Sequence, residues 1–122
     1  MISKEYLAGF VDGEGCFNIT RCRTWILPRL LITNTNVDIL KQIKGIYGGD
    51  ISSRKNGKDN WKVFNMYRAS CKALKTIIKD ILPYLILKRE QAELCLEMMK
   101  TKDIDQKLNI KERMHILNKR GI

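Results

Sequence analysis

Ten residues near the N-terminus, Tyr6-Leu7-Ala8-Gly9-Phe10-Val11-Asp12-Gly13-Glu14-Gly15, constrain this chain more than any other stretch. Leu7, Phe10 and Val11 recur three and four apart, so they share one face of a helix. Ala8 and Gly9 are small enough to let another backbone pass close along that side. Asp12 and Glu14 then bracket Gly13 where the helix should end. Carboxylates are unfavourable there, because the carbonyl end of a helix already carries partial negative charge. Positive charge should therefore gather at that end, and a divalent cation is the leading candidate. The same residues also fit a surface helix that simply stops at glycine.

Downstream, the pattern changes to alternation. Residues 16–23 read as a strand with Phe17 and Ile19 on one face and Asn18, Thr20 and Cys22 on the other. After a turn at Arg23-Thr24, residues 25–33 give a second strand. Ile26, Pro28, Leu30 and Ile32 form one face of it, opposite Trp25, Leu27, Arg29, Leu31 and Thr33. Pro28 requires an interruption or a free edge at its position. Asn34 or Asn36 caps a helix over 37–47 that buries Leu40, Ile43 and Tyr47 and stops at Gly48-Gly49. Strands over 50–54 and 60–68 flank a turn at 55–59 containing Asn56-Gly57. In the second of them, alternation leaves open whether Trp61, Val63 and Tyr67 or Phe64 and Met66 face inward. A helix with Leu74, Ile77, Ile78 and Ile81 runs to Leu82-Pro83, and a last strong helix covers 89–100. The expected fold is α+β, a four-stranded antiparallel sheet with helices on one face. It occupies residues 1–100, and 101–122 form a basic C-terminal helical tail with a weak Ile110, Met114, Leu117 stripe. That tail either docks on the domain or lies along nucleic acid.

Among the 122 residues, 23 Lys and Arg stand against 13 Asp and Glu, a formal net charge of +10. So large an excess on one small domain implies a polyanionic partner, DNA or structured RNA rather than a small acidic substrate. The cysteines at 16, 22, 71 and 95 lack metal-ligand spacing and the one histidine, His115, lies in the tail, which argues against zinc. With neither a signal-peptide pattern nor a long apolar span, the chain is expected to be intracellular, with no membrane partner.

Leu7–Gly15, LAGFVDGEG, resembles the LAGLIDADG signature of homing endonucleases and their maturase relatives. The resemblance extends over about residues 4–100 and implies the αββαββα homing-endonuclease fold, whose sheet saddles DNA. It implies a homodimer, because only one copy of the motif is present, with Leu7, Ala8, Gly9, Phe10 and Asp12 at the helix–helix interface. It implies Mg²⁺ held by Glu14, which replaces the family's Asp, with the Gly13 carbonyl as a further ligand. Asn34 stands where relatives often carry a Gln near the attacking water. Lys88, in Pro83-Tyr84-Leu85-Ile86-Leu87-Lys88, matches the family's basic residue near the active site. On that frame the DNA-facing residues are Asn18, Thr20 and Cys22, then Arg29 and Thr33, then Ser52 and Arg54, then Asn65 and Tyr67. The activity implied is site-specific double-strand cleavage of a near-palindromic DNA site, in homing of an intron or similar mobile element. An intron-RNA-binding maturase and a non-catalytic DNA-binding regulator of the same fold are the alternatives.

Overall fold

Alternation in the first third of the chain resolves into two antiparallel strands, β1 (Gly15–Cys22) and β2 (Trp25–Asn34). They are joined through Arg23, which takes a left-handed φ of 57°. A computed structural model describes residues 2–55 and 63–119, without the side chains of Cys22, Arg54, Lys55 and Val63. The chain runs α1 (Lys4–Glu14), β1, β2, α2 (Val37–Tyr47), β3 (Asp50–Lys55), β4 (Val63–Ser70), α3 (Cys71–Ile81), a 3-10 turn (Leu82–Tyr84), α4 (Arg89–Lys100) and α5 (Ile104–Lys119). The four strands make one antiparallel sheet in the order β1-β2-β4-β3. The turn expected after residue 55, and the first residues of the strand expected to begin at 60, lie outside the described residues.

Pro28 sits where its chemistry requires. It pairs with Ile19 of β1, while β4 joins β2 only from Arg29 onward, so the other edge of β2 is free at the proline. The residue alternation of β2 is reproduced, with Ile26, Pro28, Leu30 and Ile32 buried. Phe17 and Ile19 join them, and Leu7, Val11, Leu40, Ile43, Leu74, Ile77, Ile78 and Ile81 cover that face from the helices. Among the described residues, the helices that supply the core pack on that one face of the sheet.

In β4 the structure settles what alternation left open. Tyr67 is fully buried and Asn65 nearly so, which removes both from the DNA-facing row expected for them. The phenol of Tyr67 donates to the Gly48 carbonyl at 2.6 Å. Room for the ring comes from Gly49, at φ 101°, where an added Cβ would lie 2.8 Å from the Tyr67 ring and 2.6 Å from the Arg68 carbonyl. Burial is the main reason the Tyr67 pKa is pushed up from 10.0 to about 12, with the charges of Tyr47 and Asp50 adding to it. Because the folded value exceeds the unfolded one, this contribution to stability is complete below pH 10 and is lost as pH rises toward 12. Tyr47, donating to Asp80 at 2.8 Å, is also pushed up to about 12, by burial first and then by that carboxylate. Urea denaturation should therefore show a midpoint that falls above pH 10. Tyr67→Phe should remove part of that fall, and cost about 1 kcal/mol at neutral pH for the lost hydrogen bond.

The tail docks. Helix α5 buries Ile110 and Met114, and Asn118 Nδ2 donates to the Phe17 carbonyl at 3.0 Å. It thereby covers part of the outer edge of β1, an edge strand whose carbonyls would otherwise face an incoming strand. Among the described residues no helix is long and apolar enough to cross a membrane.

Candidate metal and nucleic-acid site

Helix α1 begins at Ser3, whose Oγ accepts from the Tyr6 amide at 3.0 Å, and ends in Glu14. The chain then turns directly into β1. Gly15 makes this possible: its amide bonds to the Val11 carbonyl, and an added Cβ there would lie 2.9 Å from that oxygen. Glu14 is thus fixed at a helix–strand junction, solvent-exposed, with no hydrogen bond or ion pair among the described residues.

The positive charge anticipated at this helix end is present, and a lysine supplies it. Lys88 Nζ donates to the carbonyls of Asp12 at 2.6 Å and Val11 at 3.3 Å. Asp12 answers in the opposite direction. Its two carboxylate oxygens accept from the Ile86 amide at 2.8 Å and the Lys88 amide at 3.0 Å. The segment before α4 is in this way clasped to the end of α1.

Leu7, Ala8 and Val11 are buried in this chain's own core, so Leu7 and Ala8 are not available to a partner helix as expected. What α1 turns outward is Tyr6, Gly9 and Gly13, with Phe10 half-buried and its ring stacked on Tyr6 at 6.3 Å. Asp12, also expected at the interface, is half-buried in the clasp.

Asn34 is brought to the same region, because the β1–β2 ladder runs out at Gly15 opposite Ile32 and β2 continues past it. Its Oδ1, however, accepts from the Asn36 amide at 2.8 Å, and Asn36 rather than Asn34 caps α2. The amide nitrogen of Asn34 and the second lone pair of its Oδ1 are left for a substrate or water. Asn65 supports this corner from beneath: its Nδ2 donates to the carbonyls of Asn34 and Thr35 at 3.3 Å, and its Oδ1 accepts from Ser53 at 2.6 Å.

On the open face, register aligns Asn18 with Arg29, Thr20 with Leu27, and Thr33 with Met66 and then Ser52. Asn18, Thr20, Arg29, Thr33 and Ser52 therefore share this face, as expected of them. Arg29 Nε donates to Asn18 Oδ1 at 2.8 Å, which holds its guanidinium across the strands. Cys22 and Arg54 lie in β1 and β3, but their side chains are outside the described ones. Arg68 is the residue that sequence reading missed. It is exposed, on the same face, aligned with Leu31 and Asp50. A signal for it existed, since an arginine is almost never fully buried and its outward orientation forces Tyr67 inward. Thr20, Leu27, Arg29, Arg68 and Ser70 line a concavity of about 310 Å³ on this side.

Arg29 and Arg68 on the open sheet face, with the exposed Glu14 carboxylate at the tip of the adjoining helix, form an arrangement whose chemistry suits a polyanion and a cation. The family model for the LAGLIDADG endonuclease matches residues 7–92, and the chain belongs to that family. DNA endonuclease I-CvuI of Chlorella vulgaris is 36% identical over 105 residues, covering 78% of this chain. This chain spans 62% of that relative's length. The crystal structure of I-CvuI in complex with its target in the presence of 2 mM Ca superposes with a TM-score of 0.74 at 27% identity, over 93% of this chain and 80% of that one. The archaeal intron-encoded homing endonuclease I-Vdi141I, complexed with DNA, shares the fold with a TM-score of 0.75 at 19% identity, over 93% and 82%.

Proposed function

We propose that the protein is a homodimeric, Mg²⁺-dependent endonuclease that cuts both strands of a near-palindromic DNA site. The observation that carries this reading is the Glu14 carboxylate, exposed and unpaired among the described residues at the end of α1. Hard oxygen donors of this kind suit Mg²⁺, and one carboxylate is too few to hold it alone. No group of three or more His, Cys, Asp or Glu able to hold a metal occurs among the described residues. A second copy related by a two-fold axis along α1 would bring a second Glu14 to the same place, with the Gly13 carbonyls as further donors. The outward face of α1 supports such a pairing. Gly9 and Gly13 meet nothing within 4 Å of an added Cβ, so this chain's own packing has no use for them. Yet each glycine inside a helix costs about 1 kcal/mol relative to alanine. Exposed Tyr6, Ile86 and Leu87 extend the apolar surface beside them.

A divalent cation bound there supplies Lewis acidity toward a phosphodiester and a nucleophilic water at neutral pH. The residues of this chain do the rest. Arg29 and Arg68 engage phosphates or base edges on the open face, and the sheet enters a groove as a strand platform. The Lys88 ammonium is held at the end of α1, and with the Asn34 side chain it would orient water and stabilise charge on the phosphate. I-CvuI was solved with its target DNA in the presence of 2 mM Ca, and with the I-CreI target in 2 mM Mg with the DNA not cleaved, which supports duplex DNA and a divalent cation as the ligands of this site. The test is incubation of the purified protein with a library of randomised duplexes. Mg²⁺ should yield staggered double-strand cuts at one sequence class, and EDTA should abolish them. Tight, salt-sensitive DNA binding with no cut in either condition would overturn the catalytic reading.

A further inference from the structure

Both carboxylate oxygens of Asp12 are engaged by the chain's own backbone. They bond one each to the amides of Ile86 and Lys88, so the 86–88 turn wraps around the carboxylate. That turn exposes Ile86 and Leu87, at 84% and 58%, and directs Lys88 back across the helix end. An ammonium has three donors, and two of the three are used by the Val11 and Asp12 carbonyls.

We propose that Asp12 is a positioning residue that delivers the Lys88 ammonium to the carbonyl end of α1, beside Glu14. The capped carbonyls no longer repel the Glu14 carboxylate, and the third donor of Lys88 is aimed at whatever Glu14 holds. A free lysine at the start of α4 would sample many rotamers, and the turn held by Asp12 removes most of them. The kinetic consequence rests on the endonuclease activity proposed above, whereas the clamp is a property of the free protein.

Two variants separate the roles. Asp12→Asn keeps one acceptor and turns an NH₂ group toward an amide donor. Ile86→Pro deletes one of the two bonded amides without altering any charge, and Leu85 already has φ −70° and ψ 137°, which a residue before proline favours. In metal-free, DNA-free Asp12→Asn protein, hydrogen exchange at Ile86 and Lys88 should accelerate at least about tenfold. In Ile86→Pro protein, the Lys88 amide should accelerate. On the duplex cut by the wild-type protein, single-turnover rates in Mg²⁺ should fall about 10–100-fold in both variants. DNA affinity with Ca²⁺ in place of Mg²⁺ should stay within about threefold, because the clamp touches no open-face residue. Asp12→Asn/Lys88→Met should cleave no more slowly than Lys88→Met alone, since Asp12 acts through Lys88. Unchanged exchange, wild-type cleavage rates, losses that track DNA affinity, or multiplying losses in the double variant would each overturn the proposal. A wild-type protein that cuts nothing in Mg²⁺ defeats the endonuclease reading instead, and the exchange rates then decide the clamp by themselves.

Discussion

Glu14→Gln is expected to reduce Mg²⁺-dependent cleavage by at least about 10³-fold while leaving fold and DNA binding intact. Glutamine keeps the length and shape of the side chain but removes the charge that a hard cation requires. In a symmetric dimer the substitution falls on both copies, so no compensating carboxylate remains. Folding should be unaffected, because the Glu14 side chain is exposed and makes no hydrogen bond or ion pair among the described residues. DNA affinity should hold or rise slightly, since a negative charge near the phosphates has been removed. Single-turnover cleavage, denaturation and filter binding on one preparation distinguish these outcomes. A variant that still cuts within tenfold of the wild-type rate would show that Glu14 is not the metal ligand.

Gly9→Leu should weaken the proposed dimer without harming the monomer. In this chain an added Cβ at Gly9 meets nothing within 4 Å, and the position is exposed. Replacing a mid-helix glycine by leucine should therefore raise the intrinsic stability of α1, by up to about 1 kcal/mol. Against a second α1 packed closely on the same face, a leucine would push the helices apart. Sedimentation should show the dimer dissociating at protein concentrations at least about 100-fold higher than for wild type, and cleavage should fall with it. Both effects come from one substitution with opposite signs, which a general folding defect cannot mimic. A Gly9→Leu protein that sediments as wild type would place the dimer contact elsewhere, with the exposed Ile86 and Leu87 the next surface to test.

The clasp and the tyrosine burial show where sequence stops being informative. Local periodicity determined the helices and the first two strands: Val37–Tyr47 follows from apolar spacing and its Asn36 cap, Arg89–Lys100 from apolar spacing, and β2 from strict alternation around a proline that tolerates only a free edge. The nine-residue motif determined the family, and with it Glu14 as the acid to follow. Those are properties of neighbours in the chain, so the chain alone carries them. Tertiary structure decided the rest. Tyr67 and Phe64 are equally good strand residues by type; the neighbouring Arg68 favours Tyr67 inward, and the Gly48 carbonyl and the gap at Gly49 give its phenol and ring a place there. Leu7 and Ala8 suit a partner helix or the chain's own sheet equally, and the sheet takes them. The cation at the end of α1 was legible as a requirement of helix electrostatics. That Lys88 fulfils it, through a carboxylate 76 positions earlier in the chain, depends on contacts distant in sequence that no local pattern encodes.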